Sequence, residues 1–115
     1  MGLRFHEAAY AAKMLKDLAW VDANKLILAE ISEGGVTAAL YLGNEYAARI
    51  ILGWTCTGGE SWWSGIRGSS KTPVLSVVGS NDHYYRNKSN AGQCRLGIRR
   101  KAKSVVLKDS GHGVV

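Results

Sequence analysis

An α/β fold built on a parallel sheet is predicted by three features of this sequence. Four short aliphatic runs, "KLILAEI", "ARIILGW", "PVLSVVG" and "KSVVLKD", read as strands. Their near-continuous apolar character is that of strands buried on both faces, as parallel strands are. Helix-forming stretches separate most of them, and alternation of strand and helix is the pattern of the α/β class.

The elements follow in order. Residues Phe5 to Leu18 are expected to be helical, because Phe5, Ala8, Ala9, Ala12, Leu15 and Leu18 form one apolar stripe. Asp22 and Asn24 in "WVDAN" are turn formers, and the first strand, "KLILAEI", begins after them. Past Gly34 and Gly35, "VTAALYLGNEYA" has helical character, with Gly43–Asn44 marking its end. "ARIILGW" is the second strand. From Thr55 to Thr72 the chain is rich in Gly, Ser and Trp and shows no periodicity. Pro73 opens the third strand, a position where its missing N–H is tolerated. "NAGQCRLGIRRKA" reads as a weak helix, since Gly92 and Gly97 each cost about 1 kcal/mol relative to alanine. "KSVVLKD" is the fourth strand. With no internal repeat and no linker, residues 1–115 are read as a single domain.

Composition narrows the function classes. A chain of 115 residues with 46% hydrophobic and 21% charged residues supports one modest core and is not disordered. No apolar run approaches the roughly 20 residues that span a bilayer, and the charged N-terminus does not read as a secretory signal. No membrane association and a cytoplasmic location are therefore expected. The net charge is +6, with basic residues gathered at Arg95, Arg99, Arg100, Lys101, Lys103 and Lys108. A solvated helix face is their expected role; no zinc-finger spacing or glycine–aromatic RNA-binding motif accompanies them. A basic module holding an acidic partner is the lesser alternative. Cys56 and Cys94 are not a close pair, so they are read as free buried thiols in a reducing compartment and not as metal ligands.

Three polar residues stand just past strand ends, where open α/β sheets place their ligands. Ser32 follows the first strand, Asp82 the third in "VVGSNDHYY", and His112 the fourth in "DSGHGVV". A serine hydroxyl needs a base to become a nucleophile, and imidazole titrates near neutral pH. An aspartate would fix the imidazole tautomer and stabilise the imidazolium. Gly34 and Gly35 suit a sharp turn from strand to helix, and the N–H of Glu33 at the helix start would be one oxyanion donor. Taken singly, Ser32 is an N-cap serine, Asp82 a turn aspartate and His112 a loop histidine. The chain order Ser, Asp, His is that of an α/β-hydrolase triad.

The resemblance extends along the chain. "VDANKLILAEISEGG" resembles the nucleophile-elbow region of α/β-hydrolases, and most closely their dienelactone-hydrolase-like branch. "TPVLSVVGSNDHYY" resembles that family's acid-bearing strand and loop, and "SVVLKDSGHGVV" its histidine loop. The resemblance implies a partial α/β-hydrolase fold with Ser32 as nucleophile, Asp82 as acid and His112 as base. It also implies hydrolysis of an ester, lactone or related acyl bond through an acyl-serine, with no cofactor.

Two departures qualify the match. The elbow pattern G-x-S-x-G reads "EISEG" here, with Glu30 at a crowded position where it is expected to distort the turn or leave a carboxylate near the serine. The match also covers only the later part of the family's fold, so a truncated domain with an uncovered sheet face and an open edge is expected. A marginal monomer, an oligomer associating through that face and edge, or a fragment of a longer product is therefore expected. The alternative function is accordingly a catalytically weak relative with a structural or interaction role. Trp54, Trp62, Trp63, Tyr84 and Tyr85 are the most unusual aromatics; Trp54, Tyr84 and Tyr85 either line a pocket beside the serine or cover the core. His83 competes poorly as base because it adjoins Asp82 on one loop, and His6 is read as a surface residue.

Overall fold

Each strand of the sheet lies beside its neighbour in sequence. The computed structural model describes residues 2–57, 63–85, 94 and 101–114. Their elements are α1 (Gly2–Lys16), β1 (Ile27–Ile31), α2 (Glu33–Leu40), β2 (Ala48–Leu52), β3 (Val74–Gly79) and β4 (Ala102–Leu107). All three strand pairs are parallel, in the order β1-β2-β3-β4. The chain thus forms the α/β architecture with four parallel strands that its sequence predicts. The helix expected over Asn90–Ala102 lies outside the described residues apart from Cys94, Lys101 and Ala102, and Ala102 opens β4.

This strand order leaves the two faces of the sheet unequal. Every crossover steps in the same direction, and crossovers between parallel strands are almost always right-handed. Equal steps of one hand put the connections on one face. Burial alternates accordingly along the strands. Leu28, Arg49, Ile51, Val74, Ser76 and Val78 are buried on the covered face. Ile50, Leu52, Leu75 and Val77 on the other face are only half-buried, and Ile27 and Ile31 of the edge strand are 54% and 43% exposed. The expected uncovered apolar face is present.

The covered face carries α1 and α2. Ala8 and Ala12 of α1 are buried, with Phe5, Ala9 and Leu15 packed partly against the core. The Tyr46 hydroxyl donates to the Ala8 carbonyl at 2.6 Å and ties this helix to the segment before β2. The helix stops at Lys16, short of Leu18, which is exposed. In the turn that follows, the Asn24 N–H donates to Asp22 Oδ1 at 3.0 Å.

The second helix ends at Leu40, earlier than the Gly43–Asn44 signal suggested. Arg49 accounts for the difference. It is a buried cation, and such a group must find hydrogen-bond acceptors. Its guanidinium donates to the carbonyls of Ala38 at 3.3 Å, Gly43 at 3.2 Å and Arg67 at 3.1 Å, and lies 5.8 Å over the Tyr41 ring. Continued helix would use the Ala38 carbonyl internally. Instead Tyr41 turns to φ −59, ψ 130, and the cation sits at the negative end of the helix dipole.

Cys56 and Cys94 are not free thiols. They form a disulfide across 38 residues, with Cα atoms 4.9 Å apart. Local spacing carries no sign of it, because the bridge depends on residue 94 coming to the end of β2 through the fold. Of the basic cluster, Lys103 lies in β4, as the strand reading of "KSVVLKD" expects; Lys101 and Lys108 flank that strand, and all three are exposed. Arg95, Arg99 and Arg100 lie outside the described residues. Among the described residues, no helix is long and apolar enough to cross a membrane.

Candidate active site

The sheet pairing of β1 runs one residue past the strand, since the Ser32 N–H donates to the Leu52 carbonyl at 2.9 Å. The chain then reverses at Ser32 itself, with φ 57 and ψ −120, and α2 begins at Glu33. A non-glycine residue held in this left-handed region stores about 1–3 kcal/mol of strain. An ordinary N-cap serine would turn its hydroxyl onto the helix N–H groups. Ser32 makes no such side-chain cap. Its Oγ lies 2.8 Å from His112 Nε2.

Glu30 neither distorts this turn nor enters the space beside Ser32. It points to the covered face, where its carboxylate lies against Gly34. A β-carbon at position 34 would collide with that carboxylate, so the last glycine of the elbow makes room for the unusual first residue. Glu30 lines a separate cavity of about 310 Å³ with Arg4, Glu7 and Tyr46.

The loop that carries His112 is seated by hydrogen bonds to the loop after β3. The Asn81 N–H donates to the Ser110 carbonyl at 2.9 Å and the Asp109 N–H to Ser80 Oγ at 2.9 Å, joining the histidine loop to the loop after β3. Gly53, with φ 58, lets the His112 carbonyl approach the end of β2 to a distance that any side chain would block.

Asp82 is fully buried, at 0% exposure. Its Oδ2 lies 2.8 Å from His112 Nδ1, and its Oδ1 accepts the Tyr84 N–H at 2.9 Å. With the carboxylate accepting, Nδ1 carries the ring proton, which leaves Nε2 free to accept from the serine hydroxyl. Ser32, His112 and Asp82 therefore form one continuous hydrogen-bonded chain drawn from three strand ends. His83 is not in it: its exposed ring lies 4.0 Å from Tyr84 and 6.0 Å from the His112 ring.

Glu33 heads α2, so its N–H has no intrahelical acceptor and stands at the positive end of the helix beside Ser32. Its carboxylate pairs with Arg4 Nε at 3.3 Å in an exposed ion pair that contributes little stability. Arg4 was not foreseen as its partner.

A cavity of about 300 Å³ opens beside Ser32, His112 and Val36, walled by Trp54, Trp63, Tyr84 and Tyr85. Of the aromatics singled out in the sequence, only Trp62 lies outside the described residues. Tyr84 meets the His112 ring edge-on at 4.6 Å and 63°. Burial, and then the charge of Asp82, push the Tyr85 hydroxyl above its ordinary pKa. Val36 was missed, although its place four residues after Ser32 puts both on one side of the helix start. Among the described residues, no cluster of His, Cys, Asp or Glu could hold a metal ion. A serine beside a neutral imidazole can release its proton as it attacks an electrophile. Compared with protein-family models, curated proteins and solved structures, the chain finds no match.

Proposed function

We propose that this protein is a serine hydrolase of the α/β-hydrolase type, acting on an ester, lactone or related acyl bond. The observation that carries this reading is the chain from Ser32 through His112 to Asp82, with both links at 2.8 Å. The left-handed backbone at Ser32 and the family resemblance of "EISEGG", "SNDHYY" and "SGHG" support it further.

Ser32 Oγ attacks the acyl carbon while its proton passes to His112 Nε2. The developing oxyanion is met by the Glu33 N–H at the helix start. Collapse of the tetrahedral intermediate breaks the bond to the leaving oxygen, which takes the proton from Nε2 and departs as the alcohol. Water then attacks the acyl-serine, again giving a proton to Nε2. The acid is released as Ser32 recovers that proton. Asp82 stays ionised throughout and holds the imidazole in the required tautomer.

A fluorophosphonate probe tests the assignment. Labelling of the native chain is expected, with complete loss in Ser32→Ala and a rate about 10³–10⁴-fold lower in Asp82→Asn. Absence of labelling in the native chain rejects it.

The exposed apolar face at Ile27 and Ile31 favours association with a second copy or another chain as a further role. Sedimentation over a range of concentrations checks it. The disulfide favours an oxidising compartment over the cytoplasm.

A further inference from the structure

The cavity beside Ser32 is distinguished by the rings that line it. Among the described residues that line it, Trp54, Trp63, Tyr84 and Tyr85 carry large aromatic rings, His112 adds a flat imidazole, and Val36 is aliphatic. Contacts within the fold fix the backbone that carries three of these rings. Trp54 is buried at the end of β2 and packs beside Gly35 of α2. Tyr85 is held through its N–H, which donates to the Asp82 carbonyl at 3.0 Å. The segment bearing Trp63 is tied down by the Gly65 N–H, which donates to the Cys56 carbonyl at 2.7 Å.

Their mutual angles matter too. Tyr84 and Tyr85 are 6.3 Å apart and inclined at 52°, and Tyr84 stands at 63° to the imidazole. Aromatic pairs favour such tilted and edge-on arrangements, which present both ring faces and ring edges to a flat guest. A puckered aliphatic ring gains area there but none of this electrostatic complementarity. Pre-positioned walls also reduce the ordering that binding must impose.

We infer that the substrate of this site carries a planar aromatic ring next to the scissile acyl bond, held among Trp54, Trp63, Tyr84 and Tyr85. This inference rests on the serine-hydrolase reading, and deepens it by naming a substrate class.

Two matched pairs of esters test it on the full chain. Vinyl benzoate against vinyl cyclohexanecarboxylate places the ring on the acyl side. Benzyl acetate against cyclohexylmethyl acetate places it on the alcohol side. Within each pair the leaving groups are similar and the ring changes from flat to puckered; each rate is divided by that ester's alkaline hydrolysis rate to remove the difference in intrinsic reactivity. At least one aromatic ester is expected to exceed its saturated partner about tenfold in kcat/KM. That ratio is expected to collapse towards one in Tyr84→Leu and in Trp63→Leu. Fluorophosphonate labelling of Ser32 is measured alongside. Labelling with equal or better turnover of both saturated esters overturns the aromatic class and leaves the hydrolase reading standing. Absence of labelling overturns both.

Discussion

The carboxylate of Glu30 occupies the volume that a side chain at position 34 would need. The two residues at the ends of the elbow pattern are therefore coupled: a side chain at position 34 requires the Glu30 carboxylate to move aside.

This coupling is measurable. Alanine has the better helix propensity, yet Gly34→Ala is expected to cost about 1 kcal/mol in the native chain because Glu30 must move. In a Glu30→Ala background the same change is expected to be neutral or stabilising, a coupling of about 1–2 kcal/mol. Urea unfolding of the four proteins gives the cycle, and additive effects would show that the two positions are independent.

Backbone strain at Ser32 has a separate signature. Glycine accepts φ 57 and ψ −120 without a clashing β-carbon, whereas alanine retains the strain. Ser32→Gly is expected to be more stable than Ser32→Ala by about 1 kcal/mol, although both lose the hydroxyl and the contact with His112. Equal melting temperatures for the two variants would mean that the turn relaxes.

The Cys56–Cys94 bridge closes a loop across 38 residues, for which chain entropy gives about 4 kcal/mol of stabilisation. Reduction, or the paired Cys56→Ser and Cys94→Ser substitution, is expected to lower the urea midpoint accordingly. Thiol titration in denaturant without reductant should find no reactive cysteine. Two reactive thiols would contradict the bridge.

Three tyrosines make stability fall in alkali. Burial raises the pKa of Tyr41, Tyr46 and Tyr85 above the ordinary value, with further contributions from Glu45 at the first two and Asp82 at the third. The folded chain thus holds these phenolic protons more tightly than the unfolded one. Their stabilisation is complete below about pH 10, the unfolded tyrosine pKa, and is lost as pH rises towards the folded values. Thermal unfolding followed from about pH 8 to about pH 11, with phenolate absorbance as a second signal, should show the decline. Phenolate appearing in full before unfolding would rule it out.

The strands were legible in the sequence because each is a short aliphatic run with a turn signal or a polar loop at its end. Ser32, Asp82 and His112 were legible through chain order and their places past strand ends, features that survive without knowledge of distances. Other features depended on contacts between distant residues. Arg49 draws carbonyls at Ala38 and Gly43 away from the helical pattern, so α2 ends before its glycine signal. Cys94 reaches Cys56 only through the fold. The accommodation of Glu30 rests on the path of one turn of helix, which no hydrophobic pattern encodes.

The strand order has a consequence for how the molecule comes into being. Each strand pairs with the one made just before it, so the sheet can lengthen in step with synthesis, without waiting for a distant segment. The hydrogen-bonded chain from Ser32 through His112 to Asp82 obeys the opposite schedule. Its outermost members are 80 residues apart, and His112 is delivered only after the last strand has docked. The chain can therefore acquire its architecture progressively, while the contact between Ser32 and His112 forms only when the last loop arrives.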